Sequence, residues 1–198
     1  MNIIDKGLEF NGALADFPAK PQLLILHHEA APTATVEEIH SYHIKHNGWS
    51  GIAYHLYVRK DGKVYRGRPI DKIGGHCKGY NSISIGICCE GNFEDEQMSQ
   101  TQYNALREAV AYARSVYPGI EIKGHRELNA TACPGKNFPL DKIRSDAMSK
   151  IPDWAREEYA EAMSLGITDG SRPNDSASRL EVAIMILRAI KLLRGDKK

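Results

Sequence analysis

Leu23-Leu24-Ile25-Leu26-His27-His28 decides the fold. Large aliphatic residues follow one another here with no polar alternation, which is the pattern of a strand covered on both faces of a sheet. A half-exposed strand would alternate. The run ends on two imidazoles, so it delivers polar chemistry to a carboxyl edge, where open α/β sheets form their sites.

The flanking segments supply the rest of an α/β domain with a mixed central sheet flanked by helices, over residues 1–149. Residues 1–20 are given only a packing role. Thr35-Val36-Glu37-Glu38 is a capping box, and Ile39, Tyr42, His43 and His46 recur at helical intervals until Asn47-Gly48. Tyr54 to Arg59 alternates, Asp61-Gly62 signals a two-residue turn, and Lys63 to Arg66 returns as the second arm of a hairpin. That alternation puts Tyr54, Leu56 and Val58 on one face and His55, Tyr57 and Arg59 on the other. Gly74-Gly75-His76 is a glycine-rich connection, and Asn81-Ser82 leads into a strand from Ile83 to Cys89 that ends at Gly91-Asn92. Ser99 to Tyr117 is a helix with Leu106, Ala109, Val110 and Ala113 as its apolar stripe, closed by Pro118-Gly119. Ile120 to Lys123 is a short strand running into His125, and Phe138-Pro139-Leu140 opens a last helix.

From about Ile151 the composition resets, and residues 150–198 read as a small all-helical domain. Asp153 caps a helix through Met163, Gly166, Gly170 and Pro173 make a turn, and Ser178-Arg179-Leu180-Glu181 is a second capping box opening a helix to Leu193. So short a unit is hard to stabilise alone. It is expected to pack on the larger domain or to self-associate into a homo-oligomer.

The 198 residues hold 26 basic and 25 acidic side chains, interspersed, for a net charge of +1. Such a surface has no general attraction for polyanions and argues against nucleic-acid binding. No stretch has the length of a membrane span, and Met1-Asn2-Ile3-Ile4-Asp5-Lys6 does not open a signal peptide, so cytoplasmic synthesis without stable membrane association is expected. Cys88 and Cys89 are neighbours in a strand and point to opposite faces. They are read as reduced, as is Cys77, with Cys133 set apart as a ligand.

Gly124-His125-Arg126-Glu127-Leu128-Asn129-Ala130-Thr131-Ala132-Cys133-Pro134-Gly135 places an imidazole and a thiol on one turn-rich segment. Nitrogen and sulfur together suit a borderline-soft ion such as Zn²⁺ in a tetrahedral set. A third ligand comes from His27 or His28, and the residues alone leave that choice open. His40 and His43, three apart on the first helix, are a rival pair. They read better as one interfacial and one surface side chain.

His27-His28-Glu29-Ala30, Gly48-Trp49, Tyr54-His55, Asp61-Gly62, Gly67-Arg68, Asn81 with Ser84-Ile85-Gly86-Ile87, Gly91-Asn92-Phe93, Gly124-His125-Arg126 and Cys133-Pro134-Gly135 occur in an informative order. Over roughly residues 20 to 145 the chain resembles the peptidoglycan-recognition-protein and phage-type N-acetylmuramoyl-L-alanine amidase family. The resemblance implies a zinc hydrolase with His27, His125 and Cys133 as ligands, leaving His28 to the cleft or the core. It implies catalytic roles for Tyr54 and for Thr131, the latter where relatives carry Lys or Thr. Trp49, His55, His76 and Asn81 match positions near the substrate groove, and peptidoglycan is the implied partner. Another branch has a general-base glutamate where this chain has Cys88; Glu90 either substitutes for it or braces a turn. Two readings stand beside catalysis: a peptidoglycan-binding module and a regulator that binds a protein. Catalysis implies a phage or prophage endolysin that reaches the wall through a separately made pore. The tail resembles a shortened S-layer-homology motif in Trp154-Ala155, Gly166-Ile167, Asp169-Gly170, Arg172-Pro173-Asn174-Asp175 and Arg179-Leu180-Glu181. That likeness implies wall anchoring.

Overall fold

A computed structural model describes residues 1–148, 161–162, 164–167 and 179–194. The chain divides into two units, Met1–Ala147 and Met148–Lys198. The first is built on a six-stranded sheet of β1 (Ile3–Ile4), β2 (Leu23–His28), β3 (Leu56–Val58), β4 (Val64–Arg66), β5 (Ser84–Cys89) and β6 (Glu121–Gly124), in the order β1-β4-β3-β5-β2-β6. Only β3 and β4 pair antiparallel, so the sheet is mixed. β2 lies between β5 and β6 and runs parallel to both, with Leu24 opposite Ile85 and Ile122. This double pairing is why its apolar run does not alternate: Leu24, Ile25 and Leu26 are all fully buried.

Three helices cover the sheet: α1 (Val36–Lys45), α2 (Gln100–Val116) and α3 (Leu140–Met148). On one face Leu24, Leu26, Leu56, Val58, Ile85 and Ile87 pack with Leu106, Ala109, Val110 and Ala113 of α2 and Ile143 of α3. On the other, Tyr57, Tyr65 and Cys88 pack with Val36 and Ile39 of α1 and with Ile52. Thr35 Oγ1 accepts from the Glu38 amide and the Glu38 carboxylate accepts from the Thr35 amide, so α1 begins at the capping box. Such a cap is worth about 1 kcal/mol. Ser99 caps α2 by accepting from the Gln102 amide. The buried Gln102 side chain donates to the carbonyls of Val58 and Glu90, tying the helix start to the strand ends.

The structure departs from the sequence pattern in several places. The hairpin turn holds three residues, because Arg59 and Lys63 still pair and Gly62 takes φ +83° between them. Tyr54 precedes β3 and packs with the Tyr57 cluster, since strand alternation begins only at Leu56. β1 adds an edge strand where the sequence predicts only packing; two residues are too few to carry a period. His40 and His43 are both buried, and backbone amides occupy them: Ile52 N donates to His40 Nδ1 and Ala53 N to His43 Nδ1. Neither is the surface side chain that helical spacing predicts for one of them. None of the four cysteines forms a disulfide.

In the second unit, α4 (Arg179–Arg194) is described, and it exposes Leu180, Ile186, Leu187 and Leu193. The expected helix from Asp153 and most of the S-layer-like residues lie outside the described residues.

Glu90, at the end of β5, braces a corner. Its carboxylate accepts from Arg59 Nε and Nη2, the Lys60 and Ala34 amides and the Thr33 hydroxyl. Burial pushes the carboxyl up, but these hydrogen bonds and the Arg59 charge prevail and hold it at about 2. A folded value below the unfolded 4.5 gives stability that is full above that pH and disappears as pH falls toward 2. Removing the cation from beside a buried carboxylate costs on the order of 3 kcal/mol. Arg59→Ala is therefore expected to unfold at lower urea than the wild type. The gap between wild type and Glu90→Gln should shrink between pH 5 and pH 2, as expected from linkage; a gap constant across that window contradicts the assignment.

Candidate metal centre and cleft

Side chains on a strand alternate, and here the alternation separates the two imidazoles at the end of β2. His28 follows Leu24 and Leu26 to the α2 side, where its ring stacks on Phe93 at 6.3 Å and its Nδ1 accepts the Phe93 amide at 3.1 Å. It is a core residue. His27 points the other way and is 1% exposed. β6, beside β2, ends at Gly124, so His125 emerges next to it with the two rings 4.6 Å apart.

Cys133 is brought back to them by a self-bonded loop. Arg126 N donates to the Cys133 carbonyl at 2.8 Å, Gly135 N to the Ala132 carbonyl at 2.7 Å, and Arg126 Nη1 to the Gly135 carbonyl at 2.9 Å. Cys133 Sγ lies 3.6 Å from His27 Nδ1, and one donor atom from each of His27, His125 and Cys133 falls within 4.8 Å of the others. Three donors this close can share one metal ion.

Their electrostatics fit such an ion. Burial, reinforced by the neighbouring histidines, lowers His27 well below the usual imidazole range, and burial also lowers His125, so both rings are neutral with a lone pair to give. Burial pushes the Cys133 thiol up to about 12, so it ionises at neutral pH only beside a cation. Two neutral imidazoles and such a thiol are the donor set of a borderline-soft divalent ion.

A cleft of about 790 Å³ opens beside His125, lined also by Trp49, Arg68, His76, Asn81 and Thr131. Thr131 Oγ1 accepts the Cys133 amide at 3.2 Å, which leaves its hydroxyl proton to donate elsewhere. The Tyr54 ring lies 5.2 Å from that of His27, and burial pushes its phenol well up, so it stays a proton donor. His55 does not line the cleft. Its Nε2 donates to the Lys72 carbonyl at 2.8 Å and its Nδ1 accepts the Gly86 amide at 2.9 Å, so it serves the interior. Asn81 lines the cleft, yet its Oδ1 is occupied by the amides of His76 and Cys77.

Two residues stand out that the sequence reading gave no role. Glu29 approaches the Cys88 thiol at 3.7 Å, and burial pushes its carboxyl up to about 7 against that contact. Its only sequence signal is an acid directly after an apolar strand and two imidazoles. Asn129 accepts from His125 Nε2 at 3.1 Å and sits in the loop as an ordinary turn residue, with no signal of its own. The position of Glu90, with its carboxylate fully engaged by the β3 corner, favours bracing over catalysis.

A parallel-strand edge presenting two imidazoles and a thiol beside an open cleft defines an α/β protein with a candidate metal site. The model of the N-acetylmuramoyl-L-alanine amidase family matches residues 17–136, and the chain belongs to that family. It is 36% identical over 112 residues to the endolysin of Enterobacteria phage K11, covering 54% of this chain and 72% of that protein. It is similar in structure to the N-acetylmuramoyl-L-alanine amidase LysC from Clostridium intestinale URNW, with TM-score 0.71, 35% identity, and 76% of this chain and 99% of that chain covered. It is also similar to a peptidoglycan recognition protein chain from the tracheal-cytotoxin-bound ectodomain complex of LCa and LCx. There the TM-score is 0.66, the identity 28%, and the coverage 73% of this chain and 95% of that chain.

The donor set leads to a stoichiometric expectation. The protein should bind one divalent ion per chain, and Cys133→Ser or His125→Ala should each weaken binding by more than the roughly 10- to 100-fold that losing an outer partner of a ligand costs, since each removes one of three ligands. Isothermal titration measures this, and unchanged affinity in both variants would place the ion elsewhere.

Proposed function

We propose that this chain is a zinc-dependent N-acetylmuramoyl-L-alanine amidase of phage or prophage endolysin type. It would hydrolyse the bond between the lactyl group of N-acetylmuramic acid and L-alanine in bacterial peptidoglycan. The observation that carries the reading is the convergence of His27, His125 and Cys133 at one sheet edge in a chain of this family. When bound there, zinc supplies Lewis acidity and makes water a nucleophile at neutral pH.

The chain's own residues do the rest. The cleft aligns the muramyl peptide along Trp49 and Asn81, with the scissile carbonyl toward His125. Tyr54, held as a neutral phenol, donates a hydrogen bond to the carbonyl oxygen as charge develops on it. Thr131 donates a second. Being uncharged, it contributes less than a lysine would at that position. The presence of Cys133 favours catalysis over a purely peptidoglycan-binding role.

The relatives support action on the cell wall, and the same reading has the enzyme released to the wall through a holin-type pore. Among the described residues no helix is long and apolar enough to cross a membrane. The exposed apolar residues of α4 support self-association or wall contact for the C-terminal unit.

Purified protein acting on isolated cell walls should release new L-alanine amino termini and no new reducing sugar ends. Tyr54→Phe should lower kcat by roughly 10²- to 10³-fold with little change in KM, as for loss of one oxyanion donor. New reducing ends would instead indicate a glycosidase, and full activity in Tyr54→Phe would remove the phenol from the chemistry.

A further inference from the structure

We infer that the Gly74–Asn81 segment, acting with Asn129, is the positioning frame of the metal centre. His76 and Asn129 hold His27 and His125 in the ring tautomer that leaves Nδ1 of each free to ligate. The inference rests on the metal reading above and adds residues that do not touch the ion.

The argument starts from a single proton. His27 turns Nδ1 toward the Cys133 sulfur at 3.6 Å and Nε2 toward His76 Nδ1 at 3.0 Å. Only one hydrogen fits between two ring nitrogens at that distance. If His76 donated it, the proton of neutral His27 would sit on Nδ1, facing the thiol and blocking coordination. With His27 as donor, Nδ1 keeps its lone pair and the ring is oriented. His76 then carries its own proton on Nε2, a buried atom without a well-formed hydrogen bond.

The same segment reaches the second imidazole. His125 Nε2 donates to Asn129 Oδ1 at 3.1 Å, again freeing Nδ1. Asn129 is itself held from both ends: the Cys77 thiol donates to its Oδ1 at 3.0 Å, and its Nδ2 donates to the Lys78 carbonyl at 3.3 Å. Three consecutive residues, 76 to 78, thus fix both ring orientations. The segment is in turn clamped by Asn81, whose Oδ1 accepts the His76 and Cys77 amides at 2.9 and 2.8 Å.

Packing leaves the His76 ring little freedom. It lies against Gly86 of β5, where a Cβ would come within 2.6 to 2.8 Å of its Cγ and Nδ1. His55, anchored by two backbone hydrogen bonds, meets its edge with ring centroids 5.6 Å apart. His76 and His55 therefore act as internal supports, and of the two only His76 also lines the cleft.

The test combines zinc titration against a chromophoric chelator with side-chain nitrogen chemical shifts of isotope-labelled histidine in the metal-free protein. In the wild type both His27 and His125 should be protonated on Nε2. His76→Leu should lower zinc affinity roughly 10- to 100-fold, the usual cost of losing such a partner, with Asn129→Leu in the same range. His76→Asn, whose oxygen falls near the lost Nδ1, should restore most of it, which a general packing defect would not allow. A metal-free wild type with His27 protonated on Nδ1, or undiminished affinity in His76→Leu, overturns the inference. Should His76→Leu fail to fold, the wild-type nitrogen shifts decide. Wild-type protein that takes up no zinc overturns the metal reading beneath it.

Discussion

Parallel pairing of β2 with β5 on one side and β6 on the other governs both the stability and the chemistry of the first unit. Pairing on both edges and helices on both faces require an unbroken apolar strand, and Leu24, Ile25 and Leu26 meet that requirement. Because β2 and β6 run the same way, their carboxyl ends lie side by side, and the last residues of β2 meet those that follow β6. His27 and His125 owe their 4.6 Å ring separation to strand register more than to any contact between themselves. The Cys133 loop completes the group through its own backbone hydrogen bonds.

Burial has a second consequence at this edge. It keeps the imidazoles uncharged and the thiol protonated, so the edge presents three neutral donor groups. The surrounding groups extend that theme. Tyr54 remains a phenol, Glu29 is raised toward neutrality, and His55 and His76 are lowered by burial. Charge is concentrated instead at structural corners such as Arg59 with Glu90, whose carboxylate is occupied by five hydrogen bonds.

Much of this was legible in the sequence, for identifiable reasons. The mixed sheet, both major helices and the capping box at Thr35 follow from local patterns, which the tertiary structure respects. The choice between His27 and His28 was not legible from periodicity, because a strand apolar on both faces gives no sign of which face carries α1. Family resemblance selected His27, and the structure puts His28 against Phe93. His55 illustrates the opposite difficulty. The family resemblance places it near a groove, whereas its ring nitrogens are engaged by the Lys72 carbonyl and the Gly86 amide through contacts remote in sequence. Asn129 carries no pattern of its own and Glu29 only its place after an apolar strand, since their partners Cys77 and Cys88 lie 52 and 59 residues away. β1 leaves no trace in the sequence because two residues cannot show a period.

X-ray absorption at the zinc edge of loaded protein would test the central claim most directly. The account predicts one sulfur neighbour at about 2.3 Å and two imidazole nitrogens at about 2.0–2.1 Å, with one further light atom completing four. A shell of oxygen and nitrogen alone, with no sulfur in the wild type, would contradict it.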